Sequence, residues 1–440
     1  MIRRRHVFYI AGYDPQGVPG YYRLFKRELD RFQSVWPLKA TLSEPVIDSD
    51  GLAARWEVAT SGPNWQVATT YEFLRWDDII KRDMARRMPV RIALLARVLL
   101  ENIFNGTIVR VFRAGWRFGL FYLFPYLFVA GLILLPLAFA GVAARIAMIV
   151  FGLPMLAGLM IAAAVAVATY FPIRRYGDRW SIIAMADAWI WFRDWGRGLR
   201  PDYEDRIDAF ARRVIAEMRR SDADEILLIG HSGGGTTAIP VVARALALDA
   251  DFTKSRPPFT VLALGTSLPL AASHRPADGV RDAIARVARE PNLRWVECQA
   301  RQDACNFQDL DPVADLGIAV CGERKNPHLW RILFKHLLSQ QTYQRVRLNI
   351  FRMHFQFIMA NDRRAAYDYF MFVCGPVPLS DWVNSGDEVL SRFAGDGAYA
   401  ANLNHGVSST DAPKARPGVN RVPSISQSSR TDLRHRLKMV

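Results

Sequence analysis

Ser232 stands in Gly230-His231-Ser232-Gly233-Gly234, immediately after the apolar run at 226–229. An apolar run, a sharp turn and a helix start form the setting in which a serine hydroxyl becomes a nucleophile. The flanking glycines carry no β-carbon, so the chain can fold tightly enough to present the serine at a strand tip, with the N–H of Gly233 facing a substrate carbonyl oxygen. A phosphate-cradling loop would need a following Gly-Lys-Ser/Thr, which is missing. A nucleophilic serine needs a base to take its proton and an acid to orient that base. In strand-to-helix turns of this kind the chain order is serine, acid, histidine. Asp303 lies five residues beyond Cys298, where a strand over 293–298 is expected to end, and Asp309 and Asp311 lie farther along the same loop. His354 follows every candidate acid and a possible strand over 346–351. His231 adjoins the nucleophile but points wrongly for a base, His274 precedes the acids, His328 and His336 fall in an expected helix, and His405 falls in a polar tail.

These parts depend on the elements that carry them. Helical apolar spacing at Ile207, Phe210, Ala211, Val214, Ile215 and Met218 predicts a helix over 206–220, and 221–225 supplies the turn into the serine strand. Residues 236–248 suit a following helix, with Pro240 tolerable only near its first turns. At the other end of the chain, 7–11 reads as a strand, 12–17 as a glycine-rich turn and 21–35 as a surface helix, the opening unit of an α/β fold. That turn could supply a second N–H for a developing oxyanion, from Tyr13 or Asp14. Residues 53–60 and 65–73 are β-rich runs around Ser61-Gly62-Pro63-Asn64 and predict a hairpin or two neighbouring strands. Downstream, 259–264 and 293–298 read as buried strands, 282–289 and 328–340 as helical.

Gly230-His231-Ser232-Gly233-Gly234, an aspartate after the next pair of strands and a histidine after the last resemble the α/β-hydrolase superfamily. The likeness covers roughly 5–75 and 200–375. It implies a mostly parallel sheet flanked by helices, with Ser232 as nucleophile, His354 as general base, Asp303 as its orienting acid, and an oxyanion hole made by Gly233 and Tyr13. Residues 11–13 resemble the oxyanion loop of lipases without its histidine. The chain departs from the usual pattern by starting at the oxyanion strand and by carrying an insertion before the serine.

That insertion is apolar. Residues 118–144 and 146–173 hold no charged side chain and are separated by Arg145 alone. Each exceeds the length needed to cross a hydrocarbon core of about 30 Å at about 1.5 Å per residue, which predicts a transmembrane hairpin turning at Arg145. Pro125, Pro136 and Pro154 are tolerable in such helices. Residues 81–117 carry nine Lys/Arg against Asp83 and Glu101. Apolar residues recur there at helical spacing, as on an amphipathic helix at a membrane surface or a helix packed on a core. Arg174, Arg175 and Arg179 follow the hairpin, so both its ends are expected to be cytoplasmic. Trp180, Trp189, Trp191, Phe192 and Trp195 then form either an interfacial aromatic belt or an acyl-binding wall.

The net charge of +15 comes without a nucleic-acid-binding motif and favours anionic membrane lipid over nucleic acid. Cys298, Cys305, Cys321 and Cys374 lack metal-ligand spacing and read as reduced thiols, so no metal or other cofactor is expected. The N-terminal apolar run is too short for a signal peptide. The expected organisation is an N-terminal catalytic part over 1–80, a basic segment over 81–117, the hairpin over 118–173, the rest of the catalytic part over 174–394, and a disordered basic tail over 395–440 whose end at 434–438 could touch anionic lipid. Together these features predict a two-span membrane protein, as in a bacterial inner membrane, with its catalytic part and both termini cytoplasmic. The expected activity is serine hydrolysis of an ester or thioester, lipid-like because of the anchor. An acyltransferase using the same triad and an inactive hydrolase-like scaffold are the alternatives. The oligomeric state has no signature in the sequence.

Overall fold

The computed structural model describes residues 1–179, 182–254 and 256–400. Trp180, His405, the basic end at 434–438 and the tail beyond residue 400 lie outside the described residues.

The chain builds an α/β fold on a nine-stranded, mostly parallel sheet. Its strands are β1 (Arg4–Ile10), β2 (Lys39–Leu42), β3 (Val46–Ile47), β4 (Ala53–Ser61), β5 (Gln66–Leu74), β6 (Glu225–His231), β7 (Phe259–Leu264), β8 (Leu293–Ala300) and β9 (His328–Ile332). They lie in the order β2-β4-β5-β1-β6-β7-β8-β9, with β3 beside β4. The strands from β5 to β9 run parallel, and β4 joins β5 as the expected antiparallel hairpin. The strands β1, β6 and β7 sit at the centre and are almost wholly buried, as parallel strands covered on both faces must be. Alternation along each strand divides the core: Phe8, Leu228, Val261 and Trp295 face one layer, and Tyr9, Ile229, Leu262 and Val296 face the other.

The second layer holds α1 (Gly17–Val35) and, late in the chain, α15 (Tyr369–Cys374) and α16 (Leu379–Ser385). The first layer is larger. It is approached through α2 (Asp77–Met84), α3 (Met88–Phe104) and α4 (Thr107–Ala114), and it contains α7 (Ile182–Gly196), α8 (Pro201–Arg220), α9 (Gly233–Leu248), α10 (Leu268–Ser273) and α11 (Asp278–Arg289). Pro240 lies in the interior of α9 and not in its first turn as expected.

Two helices, α5 (Trp116–Ile149) and α6 (Met155–Arg179), are long and apolar enough to span a membrane. They pack against each other across a turn at 150–154, so Arg145 lies on exposed helix and not in the turn. Small residues Ala140, Ala144 and Ala147 are buried along α5, allowing the close backbone approach that apolar helices use when no hydrophobic force brings them together. The first turns of α5 belong elsewhere. Phe118, Tyr122 and Tyr126 are buried in the core, Phe118 stacking on Phe307 at 4.1 Å between ring centroids. Between them Leu120 and Phe124 are exposed, so the first turns of α5 are core on one side and open on the other, and exposed apolar side chains dominate from Leu127 onward.

The basic segment is packed and exposed at once. Leu95 and Val98 of α3 are buried, and the Arg91–Asp187 and Arg193–Glu101 ion pairs, each at 2.6 Å, tie α3 to α7. Leu100, Ile103 and Phe104 remain exposed on its other side. The aromatic cluster on α7 is not an exposed belt: Trp189, Trp191, Phe192 and Trp195 are all buried.

Near the C-terminal end the expected elements exchange places. Residues 328–332 form the edge strand β9, not a helix, and 346–351 form no strand. The chain there makes α12 (Phe334–Leu337), α13 (Gln340–Val346) and α14 (Ile350–Phe355). Ser339 and Asn349 cap α13 and α14 by accepting from Thr342 N and Arg352 N. Residues 395–400 are ordered, with Tyr399 buried and the Trp65 indole donating to Gly397 O at 3.0 Å.

Candidate active site

The turn after β6 has the geometry that the glycines foretold. Ser232 sits at φ 58°, ψ −124°, a region that only glycine enters freely and that costs about 1–3 kcal/mol for other residues. Ser232 N donates to Leu264 O at 2.8 Å, fastening the turn to the end of β7. A β-carbon on Gly230 would lie 2.4 Å from Gly234 O, and one on Gly234 would lie 2.0 Å from Ile10 O. Both positions therefore exclude every other residue. Helix α9 starts at Gly233, whose N–H is one of the orphan donors of a helix N-terminus.

The loop after β1 runs beside this turn. The place a β-carbon would take on Gly12 is 3.4 Å from Ser232 Oγ, and the corresponding place on Gly233 is 3.2 Å from Tyr13 N. Asp14 N is committed to Gly12 O at 2.8 Å, whereas Tyr13 N has no hydrogen-bond partner among the described residues. Of the two candidate donors in this loop, Tyr13 is thus the one with a free N–H next to Gly233. Its side chain is held away from the serine: the hydroxyl donates to Asp83 at 3.3 Å, and Asp83 is itself paired with Arg200 at 2.7 Å and Arg86 at 2.8 Å. Burial raises the phenol's pKa well above its ordinary value, with Asp83 adding to the effect, so the group stays neutral.

On α14, His354 is buried, and its Nδ1 lies 2.7 Å from Asp303 Oδ2. Against a carboxylate, Nδ1 is the donor, which leaves the Nε2 lone pair free. Nε2 is buried and has no hydrogen-bond partner among the described residues, Ser232 Oγ included. Asp303 is fully buried in the loop after β8, where its Oδ1 accepts from Cys305 N at 2.8 Å and its carbonyl accepts from Asn306 Nδ2 at 2.8 Å. The other two candidate acids are engaged elsewhere. Asp309 pairs with Arg331 and Asp311 with Arg324, each at 2.6 Å.

Asp303, Cys305 and His354 bring three potential metal donors within 4.8 Å of one another. They fit a hydrogen-bonded set better than an ion. Two ligands on a tetrahedral metal at about 2.0–2.1 Å stand roughly 3.3 Å apart, and the 2.7 Å between Nδ1 and Oδ2 is a hydrogen-bond length. The Cys305 thiol is pushed well up by burial, with the Asp303 charge beside it adding to the shift, and so remains a neutral thiol.

His231 has a part that the sequence did not reveal. Its Nε2 lies 3.1 Å from the carbonyl oxygen of His354, to which it donates, and the two rings stand 4.6 Å apart. Burial, together with His354, holds its pKa well below the ordinary histidine value, so it is neutral. It fixes the backbone that carries His354. Its position next to the serine was visible, but the partner came from a segment over a hundred residues away. Gly265 does similar service by omission: a β-carbon there would meet Phe357 at 2.5 Å and His354 Cε1 at 3.3 Å.

A cavity of about 540 Å³ joins these groups. Ser232, Gly233, His354, Tyr13 and Cys305 line it on the sheet side, and Phe121, Met185, Ala188, Trp189 and Phe192 contribute an apolar wall. The serine, His354 and the two backbone donors thus meet at one partly open cavity of a size suited to a small organic molecule. His274, His328 and His336 do not line it. No protein-family model matches the sequence, and neither a curated protein nor a solved structure is significantly similar to the chain.

Proposed function

We propose that this chain is a membrane-anchored serine hydrolase of the α/β-hydrolase kind, cleaving an ester or thioester through an acyl-enzyme. The observation that carries the reading is His354: buried, bound through Nδ1 to a buried carboxylate, unpartnered at Nε2, and lining the cavity that Ser232 also lines. His231 and His274 also carry an unpartnered buried ring nitrogen, so what sets His354 apart is its Nδ1 bond to a buried carboxylate together with its place in the cavity beside a strained serine, which fits a base awaiting a proton.

In this reading Ser232 Oγ attacks the substrate carbonyl carbon while His354 Nε2 takes the hydroxyl proton. Asp303 holds Nδ1–H and stabilises the imidazolium that forms. The carbonyl electron pair moves to oxygen, where the N–H groups of Gly233 and Tyr13 receive the charge. Collapse of the tetrahedral species expels the alcohol or thiol, protonated by His354. Water, deprotonated by the same nitrogen, then adds to the acyl-serine and releases the acid.

The anchor follows from the two apolar helices, and the excess of Lys/Arg before and after them supports a cytoplasmic catalytic part with the hairpin dipping into the bilayer from that side. A fluorophosphonate probe tests the chemistry on detergent-solubilised full chain. The wild type is expected to label covalently and Ser232→Ala not at all. Labelling that persists in the alanine variant moves the nucleophile elsewhere, and a folded wild type that never labels returns the chain to the scaffold reading.

A further inference from the structure

One wall of the active-site cavity is apolar and joins α7, the helix after the hairpin, to the first turns of α5. Met185, Ala188, Trp189 and Phe192 lie at i, i+3, i+4 and i+7 on α7, a single helical stripe facing the cavity. Phe121 joins them from α5 and packs edge-on against Trp189 at 5.8 Å. Every one of these side chains is apolar, although the polar machinery opposite would equally suit a small water-soluble ester. Helix α5 continues without a break from Phe121 into the surface where Leu127, Leu134 and Leu137 are each more than 60% exposed. At about 1.5 Å of rise per residue, the cavity wall at Phe121 and the exposed Leu127 are only about 9 Å apart along the axis, with Phe124 exposed between them.

A wall built this way has a chemical consequence. An amphiphile in the bilayer has its ester near the headgroup level and its hydrocarbon below, and Phe121 connects the same two levels in the protein. We infer that the site takes a membrane-resident ester with a long hydrocarbon chain, whose chain lies against Phe121, Ala188 and Trp189 while its carbonyl reaches Ser232. Ala188 is the small member of the stripe and leaves the width that the chain fills. This rests on the hydrolase reading above and names the substrate class of that site.

The test uses the full chain in lipid nanodiscs with p-nitrophenyl esters from butanoyl to hexadecanoyl. The ratio of dodecanoyl to butanoyl kcat/KM should be well above one in the wild type. Two variants should lower that ratio roughly tenfold for different reasons, a size of effect typical of pocket changes of one or a few heavy atoms. Ala188→Leu narrows the channel, and Phe121→Gln, at a half-buried position that tolerates a polar side chain, makes the wall hydrophilic. If one variant fails to fold, the other carries the result. Probe labelling and butanoyl hydrolysis with a flat chain-length profile, or with a ratio unmoved by either variant, overturns the long-chain inference and leaves the hydrolase standing. Absence of both labelling and hydrolysis of any ester overturns the hydrolase reading first and this inference with it.

Discussion

Three aspartates followed β8 closely enough to serve a histidine, and only Asp303 meets His354. The difference lies in burial and partners. Asp309 and Asp311 are turned to guanidinium groups at the surface, while Asp303 is enclosed, with the Cys305 and Asn306 backbone and side-chain contacts fixing the loop around it. Asp303→Asn should therefore slow fluorophosphonate labelling by about 10³–10⁴-fold, since an amide stabilises the wrong imidazole tautomer. Asp309→Asn and Asp311→Asn should leave the labelling rate within about threefold. Second-order labelling rates of the three purified variants check this. At this scale the sequence was informative about Ser232, because its neighbours must be glycines for steric reasons that involve adjacent residues. It was less informative about the acid, because choosing among three aspartates depends on side-chain directions set by packing between distant segments.

Strands fully enclosed by the fold were the easiest elements to read. The runs of β6 and β7 are apolar almost throughout, as short strands covered on both faces are. The edge strand β9 is half polar, and His328-Leu329-Trp330-Arg331-Ile332 suits a helix turn as well as a strand until β8 is there to pair with it. The segment before His354 misled in the opposite direction, its β-branched residues outweighing Ser339 and Asn349, whose caps mark two short helices. His354 still arrived in place, since what the chemistry requires is a loop returning over the strand tips, whatever its local form.

One strand also carries a buried acid. Glu297 on β8 accepts from Thr266 Oγ1 at 2.6 Å and from Trp295 Nε1 at 3.0 Å. Burial raises its pKa from 4.5 to about 7, against the lowering effect of those two hydrogen bonds. The folded form thus holds its proton where the unfolded chain has lost it. The associated stability is present in full below about pH 4.5, falls as pH rises through the window to about 7, and is flat above. Glu297→Gln abolishes that titration, and Thr266 can accept from the new amide. Relative to wild type, the variant should gain on the order of 3 kcal/mol between pH 4.5 and pH 7.5, at about 1.4 kcal/mol per pKa unit. Denaturant unfolding in a fixed detergent across that range measures it.

The hairpin and the catalytic body are a single covalent and packed object, and the division between them does not fall where the apolar run begins. Phe118, Tyr122 and Tyr126 are core while Leu120 and Phe124 beside them are exposed, and residues from Leu127 to the end of the second span mostly face outward or each other. Replacing 127–176 by a four-residue Gly/Ser linker spans the roughly 8–10 Å between neighbouring helices and should give a folded, monodisperse protein that fluorophosphonate still labels. Removing 116–176 should not, because Phe118 and Tyr122 go with it. Size-exclusion chromatography and labelling of both proteins distinguish the cases. The shortened protein should still partition onto anionic vesicles, since Leu100, Ile103 and Phe104 stay exposed beside basic residues. From sequence the whole insertion was legible as membrane-crossing, because absence of charge over so long a stretch has few other causes. Where it enters the core was not, since an apolar residue against lipid and one against Trp189 look alike in a sequence.

A helix that begins as a cavity wall and ends in lipid also behaves as a lever. The apolar stretch of α5 from Leu127 to Ile149 is about 33 Å long, slightly more than a hydrocarbon core of about 30 Å, and helices accommodate such mismatch by tilting. Pro125 lies between that stretch and Phe121, so a tilt imposed by a thinner or thicker membrane reaches the cavity wall through a point where the helix can bend. On the proposed reading, membrane thickness bears on the cavity that Phe121 lines, and ester hydrolysis in bilayers of graded thickness is expected to vary with it.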